Sequence, residues 1–351
     1  MNTFLKIVLT SNIIRYSCFL LAFFPFLFIN CNHDESIAGS AIVENKLFTI
    51  IDGHKYGFID KTGKVIIKPT YDLVQEFQEG LCPVKIGDNW GYIDGTGNMI
   101  IQPEYKGSGL FSEGLAQVNT GGLGKTGYID PQGNFVIDPK YVMAGNYHDG
   151  IAPVQVEKKW GYINNIGKMI LDAKYDKAYD CSEGMGRILK GDKYGFIRND
   201  GKIVISPKYD RARDFHEGLA VIVINGKYGY IDKIGNYAIE PQYKMAGDFS
   251  EGLAPVDIDN LWGYIDKDNE IIITPNFDLV DPFSEGLAVF VVGHSGAQHV
   301  QMGYIDKTGA IVIDAKFPYA AKFKGGLAYV KESDKYGYIN KAGEYVWRQK
   351  V

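Results

Sequence analysis

One short motif, aromatic-Gly-aromatic-Ile-acid, constrains this chain more than any other feature, because it returns at a fixed spacing along most of the length. It stands as Tyr56-Gly57-Phe58-Ile59-Asp60 and again as Trp90-Gly91-Tyr92-Ile93-Asp94. Its central glycine falls at 57, 91, 127, 161, 195, 229, 263, 303 and 337, so one spacing is kept throughout except for two longer steps, from 91 to 127 and from 263 to 303. Nine copies on one period with two insertions specify a tandem array, in which each unit buries its apolar surface only against its neighbours.

Three further landmarks keep step. A turn, Asp-x-x-Gly in its commonest form, follows each motif, with Gly at 63, 97, 133, 167, 201, 235, 309 and 343 and Asn269 in the remaining copy. An Ile-Ile-x-Pro-x-Tyr segment comes next, as in Ile66-Ile67-Lys68-Pro69-Thr70-Tyr71. Last is Phe-x-Glu-Gly-Leu-Ala-x-Val, as in Phe249 to Val256, with its Gly at 80, 114, 150, 184, 218, 252, 286 and 326. These positions use 25 of the 42 glycines, so glycine here is turn punctuation rather than low complexity.

Each unit reads as three short strands: Leu-Ala-x-Val, the motif strand, and the Ile-Ile segment, where Pro marks the lead-out to the next unit. Apolar side chains lie on both faces of these strands, so each sheet needs cover on both faces. The expected architecture is all-β, with three-stranded antiparallel sheets stacked in a β-propeller-like ring; an open β-solenoid is the alternative. The ring is preferred because it alone removes two exposed terminal sheets.

The motif resembles the WG (or KWG) repeat of bacterial envelope and secreted proteins, over essentially all of residues 46–350. Trp opens the motif at Trp90, Trp160 and Trp262; Tyr56, Tyr194, Tyr228 and Tyr336 substitute for it. Thr126 and Met302 depart from it beside the two insertions and are expected to mark distorted units. The resemblance implies an all-β repeat and brings no catalytic residues with it.

The N-terminus reads differently. Residues 1–15 carry Lys6 and Arg15 and no acid, and residues 16–29 are apolar but short for a membrane span. A polar run follows Cys31. This is the pattern of an export signal over residues 1–30. A cysteine at the end of the apolar stretch resembles the lipobox of bacterial lipoproteins, which implies lipidation at Cys31 and a tether over 31–45, ahead of a repeat domain over 46–351. The expected location is the bacterial cell envelope, periplasmic or on the outer surface, with a lipid anchor in the membrane. Losing Lys6 and Arg15 takes the formal charge from −5 to −7, which disfavours nucleic acid and anionic bilayers as nonspecific partners.

The search for chemistry yields little. His294 and His299 lie close together in the longer insertion with Gly293 and Ser295, yet no Cys or carboxylate joins them at ligand spacing. Asp266, Asp268 and Glu270 occupy the hairpin turn, which explains them without calcium. An acid precedes the turn glycine in seven of eight units (Glu79, Glu113, Asp149, Glu183, Glu217, Glu251 and Glu285, against Gly325), and is read as capping its own tight turn. Cys82 and Cys181 read as buried, unpaired thiols. No catalytic residue, metal or cofactor is assigned.

The function expected is therefore a non-enzymatic scaffold binding a protein partner. A glycan or peptidoglycan held on exposed aromatics is the alternative, and burial of those aromatics would exclude it. The insertions, Thr120 to Lys125 and Gly293 to His299, fall at equivalent ends of their units and form the candidate binding loops.

Overall fold

The computed structural model describes residues 46–293 and 300–349. The export segment 1–30, Cys31 and the tether 31–45, together with His294, Ser295 and His299, lie outside the described residues.

The described chain is all strand and turn, in nine consecutive antiparallel sheets that form the blades of a nine-bladed β-propeller. Sheet 1 comprises β1 (Phe48–Asp52), β2 (Lys55–Ile59) and β3 (Val65–Tyr71). Sheet 2 comprises β4 (Leu73–Val74), β5 (Leu81–Ile86), β6 (Asn89–Asp94) and β7 (Met99–Tyr105). Sheets 3 to 9 repeat the sheet 2 order over residues 107–141, 143–175, 177–209, 211–243, 245–277, 279–317 and 319–348.

Three strands per unit is thus one too few. The segment after the Pro-x-Tyr landmark returns as a short strand beside its own sheet, with Leu73 opposite Lys85 and Val74 opposite Val84. Periodicity missed it because two paired residues are too few to display an alternation. This extra strand lines the axis: Gln75 Nε2 donates to Ser108 O of the next sheet's inner segment at 3.0 Å, and Asn146 N to Asp180 at 3.1 Å. The fourth strand is the outer edge, which is where Pro103 and its equivalents cost no ladder bond.

The motif glycine follows from packing. Between Trp90, opposite Tyr105, and Tyr92, opposite Ile101, the outer strand bulges over β6. A Cβ on Gly91 would lie 2.4 Å from Ile101 O and 2.8 Å from Pro103 N, so no larger residue fits. The units holding Thr126 and Met302 keep this register, with Thr126 opposite Tyr141 and Met302 opposite Phe317, so the expectation of distorted units is corrected: the insertions sit in hairpins and leave the ladder intact.

The core lies between blades. Motif rings Phe58, Tyr92, Tyr128, Tyr162, Phe196, Tyr230, Tyr264 and Tyr304 are fully buried, each worth roughly 1.5–3 kcal/mol on burial. Most meet an aromatic of the next sheet, as Tyr92 meets Phe111 at 5.0 Å and Tyr230 meets Phe249 at 4.9 Å. Where the motif offers Tyr, its hydroxyl donates to the next inner segment: Tyr92 to Gly109 O at 2.9 Å, Tyr230 to Gly247 O at 2.8 Å. The ring closes by faces rather than by a shared sheet. Phe48 packs on Tyr338 at 5.4 Å, the Tyr338 hydroxyl donates to Thr49 O at 2.8 Å, and Lys324 pairs with Glu76.

Candidate functional site: the hairpin end of the ring

Because all blades run alike, the ring has two chemically distinct ends. One carries the Asp-x-x-Gly and acid-Gly turns; the other carries the hairpins between the second and third strands, both insertions among them.

The turn end is structural. Asp60 Oδ1 accepts from Thr62 N at 2.8 Å and Lys64 N at 3.1 Å, and the Thr62 hydroxyl bond holds the Asp60 carboxyl below its ordinary pKa. Asp266 does the same for Asp268 N and Glu270 N, at 3.0 and 2.9 Å, so those acids form a turn. Among the described residues no group of three or more His, Cys, Asp or Glu is placed to hold a metal ion.

The repeated acids need a correction. They do not cap their own turns. Glu79 accepts from Glu113 N at 2.7 Å and Gly114 N at 2.9 Å, one blade further on. Glu113 reaches Gly150, Asp149 reaches Gly184, Glu183 reaches Gly218, Glu217 reaches Gly252, Glu251 reaches Gly286, and Glu285 reaches Gly326. Lys233, Lys267, Lys307 and Lys341 add ion pairs to four of them. Burial opposes ionisation of Glu183, but the Gly218 N–H and Lys233 prevail and hold its carboxyl below the usual range. Sequence spacing alone does not reveal this, because a partner one full period away looks like a partner in the same turn. The exception, Gly325, is also explained: a Cβ there would meet Lys46 Cδ at 2.4 Å, so the side chain of Lys46 takes the place of the acid.

The hairpin end is built otherwise. An Asp after the outer strand staples the hairpin of the next blade: Asp72 accepts from Gly87 N and Lys55 Nζ, Asp176 from Gly191 N and Lys159 Nζ. Gly293, at φ +99°, donates to Asp278 Oδ2 at 2.8 Å and is the described member of the predicted 293–299 loop. In sheet 3 the stapling acid is replaced by Lys106, and the Thr120 to Lys125 loop stands free of such a staple. It is held by its own Thr120 N to Lys125 O bond of 3.0 Å and lifts Leu123 to 87 % exposure. Ile86, Met143, Leu279, Val292 and Tyr319 add exposed apolar side chains to the same end.

Sequence reasoning missed a polar arc on the inner segments, at one repeat position in four successive blades: Asn146, Asp180, Asp214 and Asp248. The available signal was a polar residue recurring one place before the buried Tyr147, Cys181, Phe215 and Phe249. Burial pushes the Asp180 carboxyl up to about 6, although Asn146 donates to it through N and Nδ2. Asp214 accepts Arg187 Nε at 2.9 Å and Nη2 at 3.4 Å, and the same guanidinium lies 3.8 Å from the Tyr179 ring centroid. Arg187 thus pairs with Asp214, and Arg213 with Asp248, whereas Asn146 Oδ1 and Asp248 Oδ1 are buried without a hydrogen-bond partner. Cys82 and Cys181 are buried and unpaired as expected, with burial raising both thiol pKa values.

Blades tied by clamps, a uniform core and two elaborated hairpins define a repeat scaffold of the β-propeller class. The chain belongs to the WG containing repeat family. Eight matches cover residues 56–90, 90–123, 127–160, 160–194, 194–228, 228–262, 262–293 and 302–336, running essentially from one motif to the next. No curated protein is similar in sequence. Among solved structures, a eukaryotic initiation factor aligns over 88 % of this chain and 96 % of its own, at 8 % identity and a TM-score of 0.64. That likeness is one of fold. Hsv2 of Kluyveromyces lactis aligns over 75 % of this chain and 87 % of its own, at 9 % identity and a TM-score of 0.37. The extracellular domain of a hybrid two-component system of B. thetaiotaomicron aligns over 89 % of this chain and 51 % of its own, at 10 % identity and a TM-score of 0.29.

Proposed function

We propose that this protein is a non-enzymatic scaffold of the bacterial cell envelope, exported, lipid-anchored at Cys31, and binding a protein partner through the hairpin end of its propeller. One observation carries the reading: both breaks in the repeat fall at the end that also exposes Leu123, Met143, Leu279, Val292 and Tyr319. Exposed apolar side chains gathered around elaborated loops are what a protein interface requires. Stacking on sugars has less support, because the second ring of each motif is core and the opening rings, Trp90, Trp160 and Tyr194 among them, are half-buried rather than exposed.

The test compares capture of envelope proteins by three full-length forms. Leu123→Asp and replacement of residues 293–299 by a short turn should each abolish capture of a specific protein, whereas Ile234→Asp on the turn end should not. Loss in all three, or in none, would sink the assignment of the interface to the hairpin end. Labelled palmitate should enter the wild type but not Cys31→Ser, and absence of label in the wild type would remove the anchor.

A further inference from the structure

The two ends of the ring differ in charge as well as in build. The turn end carries the clamp acids and the Asp of most Asp-x-x-Gly turns. The hairpin end of sheets 3 to 6 is basic instead. Lys125, Lys158, Lys177, Lys190, Arg211 and Lys227 are exposed there, and among the described residues none of the six forms an ion pair. The acids of the same hairpins are fewer. Glu157 and Asp192 are exposed, whereas Asp176 and Asp210 are taken up by Lys159 and Lys193 and by the Gly191 and Asn225 N–H groups.

These staples also join the hairpins into one surface, since Asp176 spans sheets 4 and 5 and Asp210 spans sheets 5 and 6. Lys177 and Arg211 open the inner strands of sheets 5 and 6, opposite Leu189 and Val223, so both stand beside the hairpin of their own blade. The basic patch ends at sheets 7 and 8, where the hairpin end sets Asp259 and Asp278 against Lys244. In a chain of net charge −5, such segregation gives one face a local potential opposite to that of the whole.

We propose that this patch receives an acidic segment of the partner protein, an inference that rests on the hairpin-end interface above and names the chemistry it selects. Leu123, Met143 and Val156 are exposed in sheets 3 and 4 of the same patch, so the segment that fits it carries apolar residues among its acids. Opposite charge on the two surfaces speeds their encounter and rejects basic competitors. An anionic bilayer is the poorer match. The described chain begins at Lys46, against Gly325 on the turn end, so the basic patch and the entry point of the chain lie at opposite ends of the ring.

The probe is a labelled peptide of four Glu-Leu-Asp repeats, titrated with the full-length protein by fluorescence anisotropy. Saturable binding is expected, and raising the salt from about 50 to about 300 mM should raise Kd about fivefold or more, a response read on the wild type alone. The triple variant Lys177→Glu, Lys190→Glu, Arg211→Glu should also raise Kd about fivefold or more. Its control, Lys61→Glu, Lys64→Glu, Lys202→Glu, changes the net charge equally but on the turn end, and should leave Kd within about twofold. All six side chains are exposed and outside the described ion pairs, so both variants keep the fold, which unchanged urea midpoints verify. No saturable binding, equal weakening by the two triple variants, or tighter binding of vesicles of phosphatidylglycerol and phosphatidylcholine than of the peptide would each overturn the proposal. The first triple variant also enters the capture experiment above. If it captures as the wild type does while Leu123→Asp does not, the acidic partner is refuted and the hairpin-end interface stands. If capture survives Leu123→Asp as well, that interface falls and this proposal falls with it.

Discussion

Gly195→Ala isolates the reason for the motif glycine. An alanine Cβ at this site would lie 2.4 Å from Ile205 O, 2.6 Å from Pro207 N and 2.9 Å from Pro207 Cα. All three are backbone atoms of the outer strand, so no rotamer change relieves the overlap. Relief requires the outer strand of sheet 5 to move by about 0.6–1 Å, against a strand spacing near 4.8 Å, with loss of ladder bonds. Overpacking that side chains can absorb costs about 1–3 kcal/mol; a clash with fixed backbone exceeds that, and we expect ~3–5 kcal/mol. The control is Gly218→Ala. Its φ of +85° strains any L-residue, but nothing lies within 4 Å of the new Cβ, so the cost is about 1–2 kcal/mol. Urea unfolding followed by tryptophan fluorescence measures both. If Gly195→Ala costs no more than Gly218→Ala, the bulge over the motif is not what demands glycine.

Further outcomes follow from the same geometry. Glu217→Ala removes the acceptor of the Gly252 N–H and the partner of Lys267; as a partly exposed clamp it should cost about 0.5–1.5 kcal/mol in urea unfolding, and a larger loss in high salt than in low would contradict its electrostatic part. Tyr230→Phe leaves Gly247 O without its hydroxyl and should cost about 1 kcal/mol, with Phe196, which naturally lacks the hydroxyl, showing that the ring itself is tolerated; a neutral result by thermal unfolding would deny the bond any net worth. Asp180 titrates near 6 in the fold, above its unfolded value, so its contribution to stability is complete below about pH 4 and is lost as pH rises through 6. The loss amounts to about 2–3 kcal/mol by pH 8, and Asp180→Asn should flatten that part of the stability profile; parallel profiles for the two proteins between pH 4.5 and 7.5 would refute it. Leu123→Ser should change unfolding free energy by less than about 0.5 kcal/mol, since the side chain packs on nothing it would lose, and a larger change would place the loop within the fold rather than on its surface.

Much of this molecule was legible in one dimension. A single sustained period, with glycine, proline and aromatic landmarks in step, determines nine similar β units that must cover one another, because each unit's apolar faces are visible as local alternation. The insertions were equally visible, as departures from the period, and Gly293, where the longer one begins, directly follows the second strand of sheet 8. Three features were decided only in three dimensions. The inner strand is two paired residues long in most blades, and its pairing depends on the register of the chain segment that follows rather than on any pattern of its own. The acids at Glu79 and its equivalents look like turn caps, yet each bonds the next blade, since a tandem repeat places a residue's image where its own turn would be. Gly325 looks like a lapse in the pattern until the ring closes and brings Lys46, from the far end of the described chain, onto it. Local periodicity fixes what each unit is; only closure of the ring decides which atoms of one unit meet those of another, because those meetings depend on the curvature summed over all nine.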